Sequence, residues 1–145
     1  MRRMIAALLA VLLLSAFAAL GETSGDYIRY GDTDRVVLEL QLQLGVEEDG
    51  QTNAPIFGDR TLAALLEWQS ANGLGPTGEF DPETLIMLLG VSQYDADNST
   101  IVWIPMHGGI KYHREAKCSN MNEPRQMPLS CADKMGFSYC KKCYR

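Results

Sequence analysis

The placement of cysteine constrains this chain more than any other feature. Its four cysteines lie near the C-terminus, at positions 118, 131, 140 and 143, and a histidine stands at position 113. The segment that carries them, residues 99–145, contains little apolar sequence, and so short a segment rarely stays folded through its core alone. We therefore expect a cross-link. In an exported chain the default would be two disulfides, for which four cysteines allow three pairings.

The spacing of these residues favours a metal over disulfides. Four residues separate His113 from Cys118, and two separate Cys140 from Cys143. A Cys-x2-Cys turn presents two thiolates from one short loop, and a distant pair of ligands completes a tetrahedral zinc site. We predict a structural zinc ion held by His113, Cys118, Cys140 and Cys143. Disulfides and free or redox-active thiols are the alternatives, although no thioredoxin-like βαβ pattern surrounds Cys140.

A catalytic zinc ion is the alternative to a structural one at this site. A catalytic zinc ion needs an open position and a group that activates water, for which His107 and Glu115 are candidates. Three thiolates and an imidazole describe a closed structural site instead, so we predict no enzymatic activity.

Cys131 is surplus to the ligand set. A capping box of Ser130 and Asp133 would place Cys131 in the first turn of a helix. There it could be a half-buried local substitution, a reactive thiol or a disulfide partner.

The first 21 residues have the pattern of a secretory signal peptide. Arg2 and Arg3 precede an apolar run from Met4 to Leu14, which small residues follow. We expect cleavage after residue 18 or 21, a secreted mature chain, and contact with the membrane only during export. An uncleaved anchor that extends through Leu20 is the alternative.

Charge divides the remaining chain into two parts. Residues 22–98 carry fifteen acidic and three basic side chains, whereas residues 99–145 carry three acidic and eight basic ones. We interpret the polar stretch at residues 92–100 as a linker between domains at residues 26–91 and 101–145. The acidic first part argues against nucleic acid as a partner. The basic second part is suited to an anionic polymer, although such charge also occurs on solvated faces.

Periodicity predicts helices in the first domain and strands in the second. Apolar residues recur at helical spacing in three segments of residues 26–91. The start signals are Asp32, Thr33 or Asp34 for the first helix and Asp81 with Pro82 for the third, and the stop signals are Gly45, Gly73 and Gly90. Alternation around Gly108-Gly109 predicts a β-hairpin, followed by a short helix at residues 130–135. The expected fold class is α+β, with an N-terminal three-helix bundle and a small zinc-ribbon-like C-terminal domain. The predicted core includes Leu40, Leu65, Trp68, Leu85 and Leu89.

Residues 26–91 resemble a known family of binding domains. The order GDTDRVVLELQLQLG, FGDRTLAALLEWQ and NGLGPTGEFDPETLIMLL is similar to the peptidoglycan-binding domain of type one. The resemblance implies three helices whose loops and ends form a shallow groove for cell-wall glycopeptide, with Phe57, Asp59 and Gln69 as groove candidates. Ala54-Pro55 stands where the family usually has Asp-Gly, so the first inter-helix loop is expected to differ in shape.

The C-terminal segment has a resemblance of its own. GGIKYHREAKCSNM and MGFSYCKKC are similar to a small zinc-binding module that recurs at the ends of exported bacterial surface proteins and nucleases. This resemblance implies metal binding and little beyond it. Together, the two resemblances imply a secreted bacterial protein that binds peptidoglycan at the cell wall without catalysis. The alternatives are an accessory component that directs a cell-wall hydrolase to the wall, and a secreted metal-binding protein.

Overall fold

The computed structural model describes residues 26–47 and 55–145 and combines helices with short strands. In chain order, the elements are α1 (Arg35–Leu44), α2 (Asp59–Ala71), α3 (Pro82–Leu88), α4 (Gln93–Asp97), β1 (Ile101–Ile104), β2 (Lys111–Tyr112), a 3-10 helix (Cys118–Asn120), β3 (Arg125–Pro128), α5 (Leu129–Lys134) and β4 (Ser138–Tyr139). This mixed content agrees with the predicted α+β class. The predicted signal peptide at residues 1–21 and Ala54 lie outside the described residues. Within those residues, no helix is both long and apolar enough to cross a bilayer.

Predicted capping signals set both ends of α1, with Asp34 as the N-cap among the three candidates, and the start of α3. The Asp34 carboxylate accepts a hydrogen bond from the first N–H of α1, and Gly45 ends that helix in the left-handed conformation, at φ 71°. Asp81 accepts from the N–H of Thr84 at 2.9 Å, and Pro82 occupies the first helical position of α3. These side chains satisfy backbone groups that a helix end leaves unpaired, which is why the sequence signals alone locate the helices.

Buried side chains of α1, α2, α3 and the segments beside them form the core of the N-terminal part. The predicted core leucines Leu40, Leu65, Leu85 and Leu89 are buried, together with Phe57 and Phe80. The two phenylalanine rings pack edge to face, with centroids 5.4 Å apart. Trp68 departs from its prediction as a core residue, because it is only half-buried and lies outside the hydrophobic cluster.

A buried amide on α2 connects that helix to the loop before α3. Gln69 is fully buried, and its Oε1 accepts from the backbone N–H of Gly78 at 3.0 Å. Its Nε2 donates to the Glu79 carbonyl at 3.0 Å and to the Thr84 hydroxyl at 2.9 Å. At Gly78, φ is +70° and an added Cβ would lie 2.9 Å from the Leu62 side chain. The loop therefore requires glycine, and Gln69 supplies its buried polar groups with partners.

The strands do not form the predicted two-glycine hairpin. Strand β1 pairs antiparallel with β3, and β2 pairs in parallel with β4. The segments before and after Gly108 meet through an isolated antiparallel bridge between Trp103 and His113. Pro105 follows β1 and cannot donate to a ladder, which limits the pairing of these segments. The Gly109 backbone packs on that proline so closely that an added Cβ would lie 2.2 Å from its Cγ.

Two further segments differ from the prediction: the expected linker at residues 92–100 and the helix that follows β3. Residues 92–100 contain α4, which Ser92 caps by accepting from the N–H of Asp95. The capping box predicted for residues 130–133 does not form. Helix α5 begins at Leu129, one residue before the predicted helix at residues 130–135, and Pro128 at its N-cap makes no side-chain hydrogen bond. The Ser130 hydroxyl instead hydrogen-bonds to that of Ser99, at 2.9 Å.

The two predicted domains pack against each other over one hydrophobic cluster. Its buried members come from both parts of the chain and include Ile28, Leu40, Phe57, Val102, Ile104, Met127 and Phe137. An ion pair spans the same junction. The Arg125 guanidinium donates to both carboxylate oxygens of Asp32, at 2.6 and 2.9 Å, and both side chains are largely buried. The C-terminal part is therefore held against the helices by apolar contact and by a paired charge.

Candidate functional site

Four side chains from separate parts of the C-terminal region converge on one point. They are His113, Cys118, Cys140 and Cys143, and one ligand atom from each lies within 4.8 Å of the others. The Sγ atoms of Cys118 and Cys140 are 3.9 Å apart, and Cys143 Sγ lies 3.6 Å from Nδ1 of His113. All four cysteines of the chain are free. The structure thus brings together the ligand set that the spacing predicts, and without disulfides.

These distances fit a tetrahedral metal ion. Metal–sulfur bonds of about 2.3 Å and a metal–nitrogen bond of about 2.1 Å place two sulfurs about 3.8 Å apart, and a sulfur and a nitrogen about 3.6 Å apart, at tetrahedral angles. The two separations in the protein are 3.9 and 3.6 Å. Three sulfurs and an imidazole suit a soft or borderline cation rather than magnesium or calcium, which prefer oxygen.

Parallel pairing of β2 with β4 places the first two ligands. The ladder aligns Tyr112 with Tyr139, so the next residues on each strand, His113 and Cys140, fall beside each other. The N–H of Cys140 donates to the Tyr112 carbonyl at 3.0 Å. On the other side of the strand, His113 exchanges two backbone hydrogen bonds with Trp103, at 2.7 and 2.8 Å. His113 is therefore fixed by backbone contacts on both sides.

Two turns supply the remaining ligands. Cys143 follows Cys140 in a turn closed by a hydrogen bond from the Cys143 N–H to the Cys140 carbonyl, at 3.1 Å. Cys118 opens the 3-10 helix, in which Ser119 has a φ of 60°. The Ser119 hydroxyl lies 3.6 Å from the sulfur of Cys118 and 3.9 Å from that of Cys140. Ser119 was not predicted as a neighbour of the sulfurs, because nothing in the sequence but its place after Cys118 points to that role.

The surroundings favour the metal-binding protonation states of Cys140 and His113 but not that of Cys143. Burial acts to raise the pKa of Cys140, but hydrogen bonds to its sulfur, chiefly from the backbone N–H groups of Lys142 and Cys143, outweigh burial and lower that pKa to about 7. Burial, together with nearby lysines, lowers the pKa of His113. Burial and the sulfur of Cys118 raise the pKa of Cys143. Sulfurs this close resist ionising together unless a cation lies among them.

Cys131 lies outside this cluster and in the core. Its side chain is 0% exposed, and burial raises the pKa of its thiol to about 11. The predictions of a half-buried or reactive thiol are therefore wrong. A position in the first turn of a helix lowers a thiol pKa only where solvent and unpaired N–H groups reach the sulfur, and here apolar residues cover it.

We expect Cys131 to make the folded protein less stable in alkali. Its pKa is raised from about 9 to about 11 on folding, so its contribution is fully present below pH 9 and is lost as the pH rises towards 11. The loss is at most about 3 kcal/mol. Urea unfolding of the metal-loaded wild type and of Cys131→Ala, at pH 8 and at pH 10.5, measures it. The wild type should lose more stability than the variant between the two pH values; equal losses would contradict this expectation.

The residues predicted for a wall-binding groove occupy different environments. Phe57 and Gln69 are fully buried, so their side chains build the core and offer a ligand no surface. Asp59 is exposed at the first position of α2, where it accepts a hydrogen bond from the Tyr30 hydroxyl at 3.1 Å. Tyr30 is itself 55% exposed and was not predicted as a groove residue. Asp59 with Tyr30 is thus the part of this predicted groove that a ligand can reach.

The two residues considered for activating water lie outside the four-ligand cluster. Ring nitrogens of His107 lie 3.7 Å from an Asp34 carboxylate oxygen and 3.4 Å from one of Glu123. Glu115 is exposed and lines a cavity beside the sulfurs of Cys118 and Cys143.

Comparison with known families gives a match for the helical part of the chain. Residues 37–88 match the family model of a peptidoglycan binding domain. The matched range runs from the first turn of α1 to the last residue of α3, and so supports the resemblance drawn from the sequence for that part. The four-ligand cluster lies beyond the match. No curated protein and no solved structure gave a significant match to the chain.

Proposed function

We propose that this chain is a secreted, non-catalytic protein that binds peptidoglycan through its helical part and uses a structural zinc ion to hold its C-terminal part in shape. The family match over residues 37–88 carries the proposal. A domain of this family implies association with the cell wall, and the predicted signal peptide would deliver the chain there.

Zinc is the ion that the ligand set supports best. Three thiolates and one imidazole are typical of structural zinc sites, which contain four protein ligands and no bound water. The ligands His113, Cys118, Cys140 and Cys143 lie close enough to share one ion. Four protein ligands complete a tetrahedral shell, so a water activated by the metal has no place in this centre. This supports a structural role and a chain without hydrolytic activity.

The wall contact is proposed for the surface at the start of α2. Asp59 offers a carboxylate there, and the exposed ring of Tyr30 lies beside it. In the sequence, Asp59 stands four residues after Pro55, the second residue of the pair at which the chain departs from the family pattern. The buried ring of Phe57 supports this surface indirectly, because it stands two residues before Asp59 and packs against the Tyr30 ring, with centroids 6.5 Å apart.

Sedimentation with purified, protein-free peptidoglycan tests the proposal. The protein without its predicted signal peptide should sediment with the wall material, and Asp59→Ala should reduce the bound fraction several-fold. Glu67→Ala is the matched control, because Glu67 is an exposed acid on the same helix. Full recovery of the wild type in the supernatant would count against wall binding. Equal binding of both variants would remove Asp59 from the contact, and clearing of a wall zymogram would contradict the non-catalytic role.

A further inference from the structure

A basic cavity lies directly beside the proposed zinc centre. It has a volume of about 360 Å³ and is lined by Arg114, Glu115, Lys117, Cys118, Lys142 and Cys143. Two of the lining residues are proposed metal ligands, and three of the other four are cations. The fold therefore gathers positive charge from two separate loops around one concave surface next to the metal.

The cationic side chains around the proposed zinc centre outnumber those needed to neutralise the negative charge there. Three thiolates and a divalent ion leave a net charge of −1, and the Glu115 carboxylate in the cavity lining adds a second negative charge. Two of the three lining cations would balance these charges, which leaves one cation in excess. Beyond the cavity, Lys111, Lys141 and Arg145 are also exposed in this region. Among the described residues, the ion pairs found involve none of these cations or of the three that line the cavity. The excess charge is therefore available to an anionic ligand.

Arg114 is held in a position that suits an oxyanion. Its guanidinium carbon lies over the Tyr144 ring, 4.5 Å from the centroid. The Tyr144 ring is in turn packed edge to face against Tyr112, with centroids 5.5 Å apart. Arg114 also makes a side-chain hydrogen bond to Tyr144. Stacking fixes the plane of the guanidinium, and its remaining N–H groups can donate to one oxyanion. An arginine fixed in this way loses little conformational freedom when it binds.

We propose that this cavity binds a phosphate group carried on a linear, hydrophilic polymer. A phosphate monoester presents three oxygens that can accept from a guanidinium edge and from two ammonium groups at once, whereas a carboxylate presents two. Along a polyphosphate, oxygens of neighbouring phosphate groups together supply the same number of acceptors. The cavity is larger than one phosphate, and the further cations outside it can contact neighbouring charges along a chain. The inference rests on the proposed zinc centre, which shapes the cavity through Cys118 and Cys143, but not on peptidoglycan binding by the helices.

Retention of the zinc-loaded protein on phosphocellulose tests the inference. Residues 22–145 carry eighteen acidic and eleven basic side chains, so the protein should pass through a cation exchanger unless a local site binds the matrix. We expect retention on phosphocellulose at low salt and much weaker retention on carboxymethyl cellulose. For labelled linear polyphosphate, the double variant Lys117→Gln/Lys142→Gln should bind roughly tenfold more weakly or worse.

The matched control is Arg60→Gln/Lys134→Gln, which has the same net charge and leaves the cavity intact. It should bind polyphosphate within about twofold of the wild type. Equal losses in the two double variants would overturn the inference, because general charge would then explain binding. So would equal retention on the two matrices, or binding to phosphatidylglycerol vesicles without binding to polyphosphate. Neither matrix contains peptidoglycan, so failure here is distinct from failure of the wall-binding proposal.

Discussion

Removal of the metal is expected to unfold the C-terminal region of the protein. Structural zinc contributes on the order of 10–16 kcal/mol of folding free energy in small peptides, whereas the whole stability of a domain is about 5–15 kcal/mol. The strands around the centre are only two to four residues long and cannot compensate for such a loss. Hydrogen exchange with and without a zinc chelator should show lost protection at residues 101–145, and zinc added after desalting should restore it.

Two cysteine variants separate the metal from a general effect of thiol loss. Cys140→Ser removes a ligand and should reproduce the chelated state even in the presence of zinc. Cys131→Ala removes a buried thiol outside the cluster, so the protein should keep its metal and its fold with a loss of about 1–2 kcal/mol. If chelation left the exchange pattern unchanged, the C-terminal region would be held together by something other than metal.

Substitution of Asp32 by asparagine is expected to destabilise the whole chain by about 3 kcal/mol or more, because it leaves the buried charge of Arg125 without a partner. The two side chains are only 5% and 14% exposed, and the Arg125 guanidinium makes two hydrogen bonds to the carboxylate. The bonds to Asp32 raise the pKa of Arg125 in the wild type. A guanidinium stays protonated in proteins even without such a partner, so Arg125 will remain charged after the substitution. Urea unfolding of the zinc-loaded protein measures the loss.

An exposed pair provides the control for this substitution. Glu123→Gln alters the contact with His107, in which both side chains are substantially exposed, and should change stability by less than about 1 kcal/mol. Adding Arg125→Met to Asp32→Asn should recover part of the loss, because no unpaired charge then remains buried. If Asp32→Asn cost no more than Glu123→Gln, the ion pair would not help to join the two parts of the chain.

Local features of the fold were predictable from the sequence, and long-range features were not. Both ends of α1 and the start of α3 follow from Asp34, Gly45 and Asp81, whose side chains or backbone act within a few residues of their position. The strand pairing of the C-terminal region failed because β1 pairs with a segment more than twenty residues further along. A two-glycine signal is local and carries no information on that partner.

The same distinction applies to the functional residues. The four-ligand cluster was predictable because metal ligands are chemically specific and two of them share a short turn. Gln69 and Phe57 belong to the family pattern, but a pattern does not say whether a residue recurs for binding or for packing, and both are buried. The pairing of Asp32 with Arg125 joins residues far apart in sequence, and no local signal marks either one.

Metal content combined with thiol titration of the natively purified protein will show whether His113, Cys118, Cys140 and Cys143 hold one ion. We expect one zinc ion per chain, no disulfide, and a mass that falls by one zinc ion under chelation. Two disulfides with no bound metal would contradict that expectation, because His113 and three cysteines would then share no ion.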